Sequence, residues 1–94
     1  MQKLSDDEVR RQLSALPGWT LGAGEIERRY EFADFRGAIA FVVRIAFEAE
    51  AANHHPDLDV RWNQVRVALA THSEHAITTK DVELAGVIEA LSSA

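Results

Sequence analysis

Apolar residues recur at helical spacing near the start of the chain, and an alternating stretch follows them. Val9, Leu13 and Leu16 share one face of a predicted first helix, which Ser5 and Glu8 begin with a capping box. Pro17-Gly18 should end that helix. Residues 18–32 then read as two extended runs around a glycine-rich turn. In the second run Ile26, Arg28, Tyr30 and Phe32 alternate with Glu25, Glu27, Arg29 and Glu31. This pattern predicts a β-hairpin.

A second, longer helix is predicted from a cap at Asp34 to about Ala52. At about 100° per residue its main apolar stripe contains Phe35, Ile39, Val42, Val43 and Ala46. Phe41 and Ile45 fall outside that stripe, so apolar surface covers more of the helix than one core-facing side requires. The surplus indicates burial on two sides, by the sheet and by another subunit. A homo-oligomer is therefore expected, although a helix that is simply rich in apolar residues would show the same pattern.

The remainder of the chain predicts a second hairpin and a last helix. Leu58, Val60 and Trp62 alternate as core residues, Asn63-Gln64 is a weak turn pair, and Val65, Val67, Leu69 and Thr71 share one face. The last helix opens at Thr78–Asp81, and its apolar stripe contains Leu84, Val87, Ile88 and Leu91. The order is therefore α-ββ-α-ββ-α. Strands joined by hairpins are antiparallel, so we expect an α+β fold, one four-stranded sheet with three helices packed on one face.

Composition limits the classes of function. The chain has 94 residues, 47% hydrophobic and 27% charged, which predicts a single globular domain over residues 1–94. A net charge of -5, with the basic residues scattered, argues against nucleic acid as a partner. The absence of cysteine excludes disulfides and thiolate chemistry. No signal peptide or stretch long enough to span a membrane is visible, so a cytoplasmic protein without a membrane partner is expected.

The sequence "EAEAANHHPDLDVRW", residues 48–62, contains two adjacent histidines where the second helix should end. Pro56 cannot continue that helix and holds His55 extended, so His54 and His55 can both face one cavity. Glu50 is predicted on the apolar side of the helix, one turn before His54, where it could orient or charge a histidine. The alternative is that both histidines are ordinary polar loop residues and that Glu50 faces solvent.

For the other residues that could take part in catalysis or binding, the sequence leaves the role more ambiguous. His72 follows the last strand, and His75 is expected to be an exposed loop residue. His72-Ser73-Glu74-His75 invites a metal site, but no further ligand recurs at zinc spacing, so none is predicted. Trp19 could stack on a flat heterocycle, yet an aromatic residue after Pro-Gly more often packs in the core. Asp81 fits a capping box with Thr78, which is sufficient to explain a carboxylate there.

Taken together, the pattern Glu50-x3-His54-His55-Pro56-x5-Trp62-x9-His72-x8-Asp81 resembles the signature of the pterin-4a-carbinolamine dehydratases. The resemblance extends through "LPGWTL" and "YEFADF" and covers almost the whole chain. It implies a four-stranded antiparallel sheet with three helices, assembled as dimers or tetramers. It also implies that the substrate is a 4a-hydroxytetrahydropterin, which loses water to give quinonoid dihydropterin. It implies no metal and no cofactor beyond the pterin, and a link to aromatic amino acid hydroxylases, whose pterin is recycled.

The same resemblance suggests roles for individual residues. His54, His55 and His72 would be the catalytic and binding histidines, with His54 and His72 as the acid/base pair and His55 orienting the substrate. Trp19, Glu50, Pro56, Asp57 and Asp81 would bind substrate or hold the frame of the site. Histidine suits this elimination because it titrates near neutral pH.

Two positions depart from the family pattern. Asn53 stands where animal members carry an acidic residue, which leaves Glu50 or Asp57 as the assisting carboxylate, and Leu58 replaces a frequent aromatic. A module of the same fold that binds pterin or protein without turnover is the alternative function. A binder would tolerate loss of one histidine, so the complete trio favours the enzyme.

Overall fold

The computed structural model describes residues 3–93, which fold as an antiparallel sheet with helices packed against it. The helices are α1 (Asp6–Leu13), α2 (Phe35–Ala52) and α3 (Thr79–Ser92), and a short 3-10 helix spans His72–Glu74. The strands are β1 (Thr20–Leu21), β2 (Ile26–Glu31), β3 (Asp57–Arg61) and β4 (Gln64–Leu69). The predicted order α-ββ-α-ββ-α and the four-stranded antiparallel sheet are confirmed.

The sheet has the strand order β1-β2-β4-β3, so the two hairpins meet where β2 pairs with β4. Ile26 lies opposite Leu69 in that pairing, and Tyr30 lies opposite Val65. All four side chains are buried beneath the helices, as the alternation along both strands predicts. On the opposite face of the sheet, the Arg66 guanidinium forms ion pairs with Glu25 and Glu27. One face of the sheet therefore forms the core and the other carries charge.

Capping explains where the helices begin. Ser5 and Glu8 form the predicted capping box of α1, and Thr78 and Asp81 form that of α3. The helix α1 is shorter than predicted, because it ends at Leu13 and leaves Leu16 in the following turn. The ring of Pro17 disfavours helical geometry at the residue before it, which accounts for the early end. Leu16 still packs, partly buried, against the core.

The main apolar stripe of α2 forms mostly the outer face of the helix and not its core face. The buried residues are Ala38, Phe41, Ile45 and Ala49, whereas the predicted stripe residues Phe35, Ile39 and Val43 are exposed. The ring of Phe41 packs against Tyr30 and Phe32, with centroids 4.8 and 5.0 Å away. Two of the four buried residues are alanines, which a pattern of large apolar side chains does not reveal. A count of large apolar residues therefore selected the outer face. The prediction that apolar surface covers both sides of α2 is confirmed.

Trp62 was predicted as a core residue and is instead 68% exposed. β3 ends at Arg61, and Trp62 occupies the turn with a left-handed φ of 50°. The buried residue of the turn is Asn63. Its side-chain NH₂ group donates to the Phe32 carbonyl oxygen at 2.9 Å, and its backbone carbonyl accepts from Phe32 N–H at 2.8 Å. These bonds anchor Asn63 inward. The turn therefore lies one residue earlier than predicted, and the indole projects into solvent.

Candidate functional site

The C-terminal end of α2 places His54 and His55. Asn53 adopts a left-handed conformation, with φ 50° and ψ 45°, which asparagine tolerates better than most residues. His54 N–H then donates to the Ala49 carbonyl and Asn53 N–H to the Glu50 carbonyl, both at 3.1 Å. These bonds close the helix and turn the chain, and Pro56 prevents any continuation. The predicted helix end near Asn53 is confirmed.

His54 is fixed by a buried carboxylate. Its Nε2 contacts Oδ1 of Asp81, whose side chain is 0% exposed. The other oxygen, Oδ2, accepts from the Thr71 hydroxyl at 2.8 Å and from Thr78 N–H at 2.9 Å. An ionised carboxylate only accepts hydrogen bonds, so the proton in the histidine contact belongs to Nε2 of His54. The Nδ1 atom of the imidazole is therefore free of Asp81.

His72 reaches the same site from the end of β4. Thr71 is the last buried residue there, and His72 begins the 3-10 helix immediately after it. That helix is closed by His75, whose N–H donates to the His72 carbonyl at 3.1 Å. His75 is exposed, as predicted. The two segments enclose a cavity of about 370 Å³ lined by Asn53, His54, His55, Ala70, Thr71, His72, Ser73 and Lys80. This volume is within the usual range for small-molecule sites.

His55 and Glu50 form an exposed pair beside that cavity. Nε2 of His55 lies 2.8 Å from Oε1 of Glu50, and their side chains are 58% and 80% exposed. Glu50 therefore faces solvent rather than the apolar side of α2, because the helix turns Ala49 and not Glu50 toward the core. The carboxylate does not line the cavity. It contacts a histidine that does, and solvent screens that contact.

Other residues named from the sequence lie outside the cavity. Trp19 is 4% exposed, and its indole donates to the Tyr30 hydroxyl and to Glu89, each at 3.1 Å. Glu89 lies about two turns beyond Asp81 on α3, which is about 12 Å along the helix. Trp19 is therefore a core residue and not part of this pocket. Its neighbour Tyr30 has a pKa raised by burial and by the adjacent Glu89 carboxylate.

Pro56, Asp57 and Asp81 support the site without lining it. Pro56 is half-buried where the chain enters β3, and Asp57 is exposed at the first position of that strand. Asp81 cannot touch a ligand directly because its carboxylate is fully enclosed by His54, Thr71 and Thr78. Pro56 therefore shapes the turn and Asp81 holds His54, whereas binding of substrate by Asp57 stays a prediction.

Lys80 is the main site residue that the sequence reasoning missed. It also lines a neighbouring cavity of about 310 Å³, which shares His54 with the first and contains Glu48, Ala51, Ala52, Glu83, Leu84 and Val87. A signal was present, because a cation in the first turn of a helix opposes the helix dipole. A lysine that destabilises its own helix in this way indicates a role outside the helix, such as binding a ligand. Ser73, Ala70 and Thr71 carried no comparable signal.

The arrangement is suited to moving protons on a small polar ligand. It combines a histidine held by a buried carboxylate, a histidine open to solvent and a lysine on a common wall. Within residues 3–93, no group of three histidine, cysteine or acidic side chains is arranged to hold a metal ion. Over the same residues no helix is both long and apolar enough to cross a membrane. Every buried side-chain nitrogen and oxygen of the described chain has a hydrogen-bond partner.

Comparisons with known proteins match this chain over nearly its full length. The family model described as "Pterin 4 alpha carbinolamine dehydratase" matches residues 2–91. A protein of Acidobacterium capsulatum is 50% identical over 97% of this chain and 99% of its own length. One of Chloroflexus aurantiacus is 49% identical over 95% of this chain and 96% of its own length. Both are named, provisionally, as pterin-4-alpha-carbinolamine dehydratases.

Two solved structures share the fold. A transcriptional coactivator/pterin dehydratase from Brucella melitensis has a TM-score of 0.92 and 36% identity, covering 97% of this chain and 99% of that one. A pterin dehydratase-like protein described as a RuBisCO assembly factor in the alpha-carboxysome has a TM-score of 0.70 and 19% identity. That alignment covers 82% of this chain and 92% of the other. The second likeness extends to the fold alone.

Proposed function

The chain belongs to the pterin 4 alpha carbinolamine dehydratase family, and from that premise we propose that it dehydrates a 4a-hydroxytetrahydropterin to quinonoid dihydropterin and water. The observation that carries this proposal is the cavity shared by His54, His55 and His72, with Asp81 behind His54. A protein that only bound pterin would tolerate the loss of one of these histidines, so the complete trio supports turnover.

The reaction requires two proton transfers. The C4a–O bond breaks and the departing hydroxyl takes a proton, so that water leaves. The N5–H bond gives its electron pair to form C4a=N5, and its proton goes to a base. We assign the base to Nδ1 of His54, because Asp81 stabilises the imidazolium that forms. His72, which is open to solvent, is assigned as the acid. Each positioned group typically contributes about 10²–10⁴-fold to the rate.

His55 and Lys80 are assigned to binding. His55 lines the cavity with its ring steadied by Glu50, and Lys80 places a positive charge on the same wall. This assignment needs no metal and no cofactor, since the pterin is the substrate and histidines carry both protons. The proposed setting is cytoplasmic pterin recycling for an aromatic amino acid hydroxylase, which family membership supports.

We also propose that the protein is a homodimer or homotetramer. The outer side of α2 exposes a row of apolar side chains, Phe35, Ile39, Val43 and Phe47. A contiguous apolar patch of this kind is typical of an interaction surface. Phe47→Glu should therefore lower the mass measured by analytical ultracentrifugation while the far-ultraviolet circular dichroism stays unchanged. An unchanged mass would exclude this surface as the interface.

A second candidate function is binding without turnover. The solved relative described as a RuBisCO assembly factor has the same fold, and the Brucella relative is described as a coactivator as well as a dehydratase. The arrangement of the histidine cavity favours the enzyme. The capping box explains why Asp81 is acidic, but it does not require the contact of Oδ1 with the imidazole of His54, and that contact supports the enzyme.

Stopped-flow absorbance distinguishes the two functions. Decay of a synthetic 4a-hydroxytetrahydropterin would be followed with wild type, His54→Ala, His72→Ala and the surface control His75→Asn. The proposal predicts that wild type and the control accelerate decay, while each cavity variant loses at least about 10²-fold. Binding of pterin, measured by fluorescence quenching, with decay at the uncatalysed rate would instead identify a binding module.

A further inference from the structure

Thr71 connects the two histidines assigned to catalysis. Its hydroxyl donates to Oδ2 of Asp81 at 2.8 Å, and Oδ1 of the same carboxylate contacts His54. Its backbone leads directly into His72. Its N–H and carbonyl are both bonded to Ala76, at 2.9 and 3.4 Å, so this corner of the chain is tied on both sides. Thr71 is 4% exposed and forms part of the cavity wall.

The hydroxyl of Thr71 is part of an ordered chain of hydrogen bonds. A hydroxyl has one hydrogen, and Asp81 can only accept it, so the 2.8 Å contact between Thr71 and Thr78 hydroxyls runs from Thr78 to Thr71. Such chains polarise each bond in turn, which strengthens the final bond to the carboxylate. The direction of this chain holds Oδ2 as an acceptor and leaves Oδ1 to accept the hydrogen bond from Nε2–H of His54.

We propose that Thr71 is a positioning residue for the proposed dehydration, because it fixes the Asp81 carboxylate and thereby the tautomer of His54 that presents Nδ1 to the cavity. Thr71 does not touch the reacting atoms in this role. It sets which nitrogen of His54 is available and, through its backbone, where His72 begins. The inference rests on the proposed function for its kinetic consequence, whereas the tautomer can be measured without any substrate.

The test compares wild type with Thr71→Val and Thr71→Ser. Valine has nearly the same shape and suits the extended backbone at this position, with φ -96° and ψ 98°, but it has no hydroxyl. Serine restores the hydroxyl. If Thr71→Val does not fold, Thr71→Cys takes its place, because a thiol is only a weak donor. Nitrogen-15 NMR of the histidine rings reports the His54 tautomer, stopped-flow absorbance reports kcat and KM, and urea unfolding confirms that each variant is folded.

In wild type, His54 should be protonated at Nε2 with Nδ1 unprotonated. Thr71→Val should show mixed tautomers and a kcat lower by about tenfold, as expected for one lost hydrogen bond to a charged group, with KM within about twofold. Thr71→Ser should restore both the tautomer and most of kcat. An unchanged kcat in Thr71→Val, or a lowered kcat with an unchanged tautomer, would overturn the proposal. If wild type shows no turnover, the proposed function fails whatever the tautomer is.

Discussion

Replacing Asp81 with asparagine tests the link between burial and chemistry at His54. The carboxylate is 0% exposed and accepts three hydrogen bonds, from His54, Thr71 and Thr78. Asparagine keeps the size of the side chain but exchanges one accepting oxygen for a donating NH₂ group. If its oxygen still accepts from Thr71 and Thr78, the amide nitrogen faces Nε2 of His54. Two donors then oppose each other unless His54 moves its proton to Nδ1.

The size of the effect follows from that geometry. One hydrogen bond to a charged group is lost, which should lower the free energy of unfolding by about 1.5–3 kcal/mol. The protein should remain folded, because domains of this kind have about 5–15 kcal/mol of stability. Activity should fall much further, by about 10²–10⁴-fold in kcat, since His54 would present the wrong nitrogen to the substrate.

Two measurements on one preparation separate these effects. Urea unfolding gives the change in stability, and stopped-flow decay of the carbinolamine gives kcat. Asp59→Asn is the matched control, because Asp59 is a partly exposed aspartate on β3 that pairs only with Arg61 among the contacts described for it. The control should match wild type in both assays. A folded Asp81→Asn variant with kcat within about threefold of wild type would refute the reasoning about the tautomer.

Further predictions concern the core, alkaline stability and the exposed ion pair. Phe41→Ala should lower the free energy of unfolding by about 3–5 kcal/mol, measured in urea, because its ring is fully enclosed. Phe47→Ala, on the same helix but 73% exposed, should change the free energy of unfolding of the monomer by less than about 0.5 kcal/mol. Equal losses of monomer stability for Phe41→Ala and Phe47→Ala would show that the buried face of α2 is misassigned. Tyr30 is the single tyrosine and has a raised pKa, so the folded state keeps the phenol neutral while the unfolded chain ionises near its ordinary pKa of 10.0. The contribution of Tyr30 to stability should therefore be fully present below that pH and decline above it, and near that pH tyrosinate absorbance should appear only together with unfolding. Tyrosinate formation in still-folded protein near the ordinary pKa would contradict this. Glu50→Gln should reduce kcat/KM by less than about fivefold, because an exposed pair with His55 contributes at most about 1 kcal/mol. A loss of kcat/KM as large as that of His54→Ala would show that the Glu50 carboxylate takes part in the chemistry.

Local signals in the sequence were sufficient for most of the fold. Both capping boxes, the end of α2 before Pro56 and the alternation on β2 and β4 depend on residues close together in the chain. Such residues determine turns and caps directly. The convergence of His54 and His72 was also accessible, because each follows the end of an element.

What failed depended on contacts between distant segments. The core face of α2 is marked by Ala38 and Ala49, whose importance appears only when a neighbouring element approaches closely. Trp62 is exposed because Asn63 binds the backbone of Phe32, the residue that directly follows β2. Trp19 lies far from the histidines because Glu89, near the end of α3, binds its indole. The Thr71–Asp81 bond likewise joins residues whose relation no helical or strand period indicates.

The most direct test of the account is the dependence of carbinolamine decay on the concentration of the wild-type protein. The proposed dehydratase predicts that the initial rate of quinonoid dihydropterin formation rises linearly with protein. It also predicts that the His54→Ala/His72→Ala double variant, shown to be folded, contributes almost none of this rate. A rate that stays at the uncatalysed value at every concentration of wild type would contradict the central claim.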